Sequence, residues 1–167
     1  MQVTTDAIRA LRDQTGAGIM DCKRALEEAN SDLAKAEELL RTKGVTKAAS
    51  KSERTTSEGA VETYVHAGSR MGAMVEINCE TDFVARTAEF KELAHNLAMQ
   101  VAAMAPEYLD KEEMPAEDSR PPEEVCLLQQ TFIKDPSQTI DDLLLGVKAQ
   151  VGENIRVRRM ARFSLGE

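Results

Sequence analysis

Met71-Gly72-Ala73-Met74-Val75-Glu76-Ile77-Asn78-Cys79, followed at once by Glu80-Thr81-Asp82-Phe83-Val84-Ala85-Arg86, decides how this chain folds. Met71, Ala73, Val75, Ile77 and Cys79 recur at every second position, as a strand with one buried face requires. Residues 60–67 alternate in the same way, with Val61, Thr63 and Val65 on one face. Gly68-Ser69-Arg70 between them is a hairpin turn. Beyond the polar break at Glu80-Thr81 the period changes. Phe90, Leu93, Ala94, Leu97, Ala98 and Val101 make a wide apolar stripe over a helix from about Thr87 to Met104, which suits packing on a sheet.

The rest of the second half is read outward from this unit. Residues 105–124 hold Pro106, Pro115, Pro121 and Pro122 and read as an exposed connection with room for a brief helix. A helix over 123–133 places Val125, Leu128 and Phe132 on one side, and Asp135-Pro136-Ser137 ends it. Another runs from Ile140 to Gln150 with Leu143, Leu144 and Val147 inward. A last strand, Asn154 to Ser164, sets Ile155, Val157, Arg159, Ala161 and Phe163 against Arg156, Arg158, Met160 and Arg162. The expectation for this half is an α+β core in which an antiparallel three-stranded sheet packs with helices.

The first 44 residues read as three short helices. Thr5 or Asp6 caps the first, Ala7, Ile8 and Leu11 share its inner face, and Gly16 ends it. The second runs from Gly18 to Asn30 with Ile19, Cys22, Leu26 and Ala29 on one face. Ser31 caps the third; Leu33, Ala36 and Leu40 face inward and Gly44 ends it. Residues 45–59 are polar and non-periodic and read as a linker with some helix at its start. The division is a helical unit over 1–54 and an α+β core over 55–167.

Composition narrows the function classes. The net charge is −8, and it is uneven: residues 1–54 carry ten Lys/Arg against nine Asp/Glu, whereas 105–124 hold eight acids and two bases. An acidic chain repels phosphate backbones, so a protein partner is expected and direct nucleic-acid binding is not. Hydrophobic residues make up 42% and aromatics only 4%, with no Trp, so the core must be built from Ala, Leu, Ile, Val and Met. No apolar run is long enough for a membrane span, and the N-terminal residues do not read as a secretory signal. Cys22, Cys79 and Cys126 form no C-x-x-C pair and read as reduced thiols of a cytoplasmic protein, with one of them available to bridge two copies. His66 and His95 lack the i+3 or i+4 partner of a metal pair. No nucleophile elbow and no P-loop occurs. The expectation is a non-enzyme with no metal and no cofactor.

Three stretches carry a resemblance. Leu11-Arg12-Asp13-Gln14-Thr15-Gly16-Ala17-Gly18-Ile19-Met20-Asp21-Cys22-Lys23-Arg24-Ala25-Leu26 resembles the pattern L-R-x-x-T-G-A-G-M-M-D-C-K-x-A-L. Glu76-Ile77-Asn78-Cys79-Glu80-Thr81-Asp82-Phe83-Val84-Ala85 resembles E-x-N-C-x-T-D-F-V-A. Val151-Gly152-Glu153-Asn154-Ile155-Arg156-Val157-Arg158-Arg159 resembles a G-E-N-I-x-I/L-x-R run. All are segments of the elongation factor Ts family.

That resemblance implies a ubiquitin-associated-like three-helix domain followed by an α+β core. It also implies a partner, GDP-bound elongation factor Tu, whose GDP release it promotes. Thr81, Asp82, Phe83 and Val84 are implied as the tip that disturbs the partner's magnesium site. Arg12, Ile19, Met20 and Lys23 are implied as grip positions, and Val151, Gly152 and Glu153 as a further contact loop. Plain structural alternatives stand beside these roles. Phe83 can cover the sheet end, Asp82 can cap a helix, Met20 and Ile19 can be core, and Gly152 can close a helix. One departure matters: longer members carry a core of two similar halves, and this chain has room for one. Two copies are therefore expected to pair as a homodimer.

Overall fold

The computed structural model describes residues 3–15, 17–49 and 53–167, with backbone alone over 44–49. The fold is α+β. Three helices lead: α1 (Thr5–Thr15), α2 (Ile19–Glu28) and α3 (Leu33–Ala49). The hairpin β1 (Glu58–Val65) and β2 (Met71–Cys79) follows, then α4 (Asp82–Ala85) and α5 (Ala88–Met104). After the connection come α6 (Pro122–Val125), a 3-10 turn (Leu127–Gln129), β3 (Thr131–Phe132), β4 (Asp135–Thr139), α7 (Ile140–Val151) and β5 (Ile155–Ser164).

The main sheet is antiparallel, in the order β1-β2-β5. Its inner face holds Ala73, Val75, Ile77, Cys79 and Ile155, which pack with Phe90, Leu93, Leu97 and Val101 of α5 and with Ile140 and Leu144 of α7. The hairpin closes through His66–Arg70, where Gly68 and Ser69 both take positive φ.

The helical unit has its own apolar cluster: Leu11, Cys22, Ala25, Leu26, Ala29 and Ala36 are buried together. It differs from the expectation in detail. Thr4 caps α1, its hydroxyl accepting from the Ala7 amide at 3.3 Å. Gly16 lies outside the described residues. Ser31 takes a left-handed φ of 66°, and Asp32 caps α3 instead, accepting from the Lys35 amide at 3.1 Å. A carboxylate one residue closer to the first turn wins that site. Helix α3 is not ended by Gly44 but passes through it to Ala49, which gives the linker stretch the helical start expected of it. Leu33 and Ile19 are exposed rather than inward. Helix α3 packs on α7, so the two clusters are joined along one side.

Two expectations in the second half are overturned. Residues 123–133 do not form one helix; the segment breaks into α6, the 3-10 turn and β3. Buried Gln100 explains the break. Its Nε2 donates to the Thr131 carbonyl at 3.0 Å and its Oε1 accepts from the Ile133 amide at 3.0 Å. In β5 the alternation changes face at Arg158. Glu76 pairs with Arg159 and Ile77 with Val157, leaving Arg158 as the extra residue of a bulge. Met160 and Arg162 therefore turn inward, and Arg159, Ala161 and Phe163 face out. The same bulge brings the Arg159 Nε within 2.6 Å of Glu76.

All three thiols are fully buried, so none can bridge two copies in this fold, contrary to that expectation. No helix among the described residues is long and apolar enough to cross a membrane.

Candidate functional site

The site grows from the end of β2. Cys79 closes the buried face of that strand, and the chain then leaves the sheet in a single turn of helix, α4. Thr81 makes that turn. Its backbone is extended, with φ −129° and ψ 154°, and its hydroxyl accepts from the Val84 amide at 3.4 Å. Thr81, not Asp82, is therefore the cap. Asp82 occupies the first helical position, where a carboxylate complements the free amides, and Arg86 pairs with it at 2.7 Å.

Phe83 and Val84 part company. Val84 is 8% exposed and joins the core under the sheet, whereas Phe83 is 78% exposed. The arrangement that would have Phe83 cover the sheet end is excluded by that exposure. A bare aromatic is thus presented on a turn whose next residue is locked into the core.

The second element is the α7–β5 junction. Val151 ends α7 half-buried against the core. Gly152 takes a left-handed φ of 77° and its amide donates to the Lys148 carbonyl at 3.0 Å, closing the helix. Glu153 then reaches across to the tip. Its carboxylate accepts from the Thr81 amide at 3.0 Å and from the Thr81 hydroxyl at 2.6 Å. The reverse bond is also made: the Asn154 amide donates to Glu80 Oε1 at 2.7 Å. Two of the motifs, far apart in the chain, therefore form one reciprocal clasp. The Cys79 thiol lies beneath it and donates to the Thr81 carbonyl at 3.1 Å. Burial, and then the nearby Glu153 carboxylate, push that thiol's pKa up to about 11. It is a structural donor and a poor nucleophile.

Arg12, Ile19, Met20 and Lys23 lie on the helical unit. All are exposed. Ile19 and Met20, at 54% and 62% exposure, are bare apolar side chains in the first turn of α2; Met20 lies opposite the buried Cys22, Ala25 and Leu26, and Ile19 at the exposed end of their face. Lys23 stands one turn on from Ile19, near Glu27. The core alternatives for Ile19 and Met20 are excluded by their exposure. The structure thus brings Thr81–Val84 and Val151–Glu153 together and leaves the α1–α2 positions as a surface of the other cluster.

Sequence reasoning missed Glu80, Asn154 and Arg86. Glu80 and Asn154 sit inside the quoted motifs, but nothing local says that one carboxylate caps the other segment's amide.

The model of the family described as Elongation factor TS matches residues 8–120. The chain belongs to the elongation factor Ts family. It is 48% identical to the elongation factor Ts of Carboxydothermus hydrogenoformans over 195 residues, covering 99% of this chain and 90% of that protein. Against the elongation factor Ts of Thermotoga maritima it is 47% identical, covering 100% and 98%. The protein of that name from Anaeromyxobacter dehalogenans is 44% identical, covering 99% and 90%. The family resemblance read from the motifs is therefore correct, and it identifies a translation elongation factor. The aligned span of 195 positions exceeds the 167 residues of this chain, so these relatives carry about 28 residues or more that it lacks.

Proposed function

We propose that the chain is a guanine-nucleotide exchange factor that binds GDP-loaded elongation factor Tu and promotes GDP release so that GTP can bind. The observation that carries this reading is Phe83, 78% exposed on a one-turn helix whose cap and following residue are both fixed. An exposed aromatic on a rigid mount costs little entropy when it enters a partner's pocket, which is what a binding hot spot needs.

The mechanism follows from linkage. GDP is held by its magnesium ion and by amides around the phosphates. A factor that binds the distorted GTPase better than the GDP-loaded one lowers GDP affinity by the same factor. Phe83 supplies the wedge beside the magnesium site, and Asp82 a carboxylate for amides or a basic group there. Arg12, Ile19, Met20 and Lys23 hold the partner, within a helical module over 1–54. Val151, Gly152 and Glu153, beside the tip on the core over 55–167, form a further contact loop for the partner. No step needs a catalytic group, a cofactor or nucleic acid, and the site of action is the cytoplasm.

The outer face of the main sheet supports the homodimer. Val61, Val65, Met74 and Phe163 are all exposed there, across rows in which Val65 pairs with Gly72 and Gly72 with Phe163. A second copy laid on this face would bury it and supply the missing half-core.

Release of fluorescently labelled GDP from elongation factor Tu decides the main reading. Acceleration that saturates with added protein is expected; an unchanged release rate at saturation refutes it.

A further inference from the structure

We propose that Glu153 is a positioning residue for the tip: it acts through Thr81 to set the direction in which α4 presents Phe83. The inference rests on the exchange-factor reading above and assigns Glu153 a different role from a contact with the partner.

Helix α4 has four residues. A single helical turn has no cooperativity of its own, so it forms and points only as its flanking contacts dictate. Val84 anchors the turn in the core, and Thr81 is the contact at its N-terminal end. Every polar group of Thr81 is committed: the amide and the hydroxyl proton go to the two oxygens of Glu153, and the carbonyl receives the Cys79 thiol. A hydroxyl that donates in one direction keeps its lone pairs for the other. Donation to Glu153 therefore aims the Thr81 oxygen at the Val84 amide, where it caps the helix. The backbone that carries Glu153 is anchored in turn, because the next residue's amide is bonded to Glu80. Asn154 Nδ2 also donates to the Arg54 carbonyl at 3.0 Å, and Arg54 reaches Glu80 at 3.4 Å. Three segments of chain thus converge behind Thr81, and Phe83 projects from the far side.

The two roles for Glu153 differ in what they do to kinetics. A partner contact contributes to binding, so its loss raises the half-saturating concentration. A positioning residue leaves the grip of α1 and α2 intact but misplaces the wedge, so its loss lowers the plateau rate.

The test uses the full chain with Glu153→Ala, Thr81→Val and the double variant. Hydrogen exchange at the Thr81 amide is read on the free protein, and labelled-GDP release on the complex. In Glu153→Ala the Thr81 amide should lose its protection, and the plateau rate should fall at least about tenfold, the scale of a single hydrogen bond to a charged group. The half-saturating concentration should change less than about threefold. The double variant should be no slower than the slower single variant, since both break one linkage. If Glu153→Ala does not fold, Glu153→Gln, which keeps the shape and loses the charge, is read in the same two assays.

A raised half-saturating concentration with an unchanged plateau would overturn the proposal, as would multiplying effects in the double variant. So would a Thr81 amide equally protected with and without the carboxylate. Should the wild-type chain fail to accelerate release, the exchange reading falls, and amide protection alone still decides whether Glu153 holds Thr81.

Discussion

Phe83 and Val84 show how adjacent residues of one motif divide the work. Val84 fixes the turn by entering the core; Phe83 gains nothing from folding. Their variants should therefore separate. Phe83→Ala is expected to leave the melting temperature within about 1 °C, because an exposed side chain contributes little to stability. Its plateau rate of GDP release should drop about 30-fold, equivalent to about 2 kcal/mol for a hot-spot aromatic. Val84→Ala should instead lower stability by about 2 kcal/mol in a urea titration, from lost burial and the cavity left behind. The motif was legible as a motif in the sequence. Which of its side chains faced water was not, because a one-turn helix is too short to show a period.

At the scale of elements, two devices hold the sheet and the connection. Gly59 opens β1 with a φ of 149°, and a Cβ there would lie 2.0 Å from the Ile77 carbonyl oxygen. Gly59→Ala should cost at least about 2 kcal/mol, seen as a lower urea midpoint, since neither backbone can yield without breaking the ladder. In the acidic connection, Arg120 grips Glu107 and Asp118 together, with 2.8 Å and 2.5 Å contacts among the bonds. The guanidinium holds both carboxyls below their usual range. Groups depressed on folding contribute stability above the unfolded carboxylate value, near about 4, and lose it as pH falls through the folded value. Arg120→Gln should thus melt earlier than wild type at pH 7. The gap should close progressively on titration below about pH 4; a gap independent of pH would contradict the clamp. The sequence showed this stretch only as prolines and acids. Part of its order comes from one arginine that joins the nearby Asp118 to Glu107, thirteen residues away.

Across the whole molecule, one sheet face is covered and the other bare. The covered face holds the core; the bare one carries Met74 and Phe163, together with Val61 and Val65. A chain of 18.4 kDa is expected to run at twice that mass in light scattering at micromolar concentration. Met74→Glu should convert it to a monomer with unchanged circular dichroism, because a charge on a paired apolar face lacks a partner. A wild-type monomer would rule the pairing out. The joining of the helical unit to the core through α3 and α7 also belongs to this scale. It could not be read from residues 45–59, whose polarity suggested a linker and gave no packing face.

The sequence alone determined the α+β class, the period-2 strands, the three leading helices and the family. Each is written in local spacing or in contiguous motif residues, and short-range sterics and burial enforce both. It did not determine where the long-range hydrogen bonds go. Gln100 dissolving an apparent helix at 123–133, the bulge at Arg158 that turns Phe163 outward, and Glu153 reaching Thr81 all join residues more than 30 positions apart. Those pairings exist only once the core has brought the segments together. The tip is therefore spelled out in one stretch of sequence, while the direction in which it points is set by another.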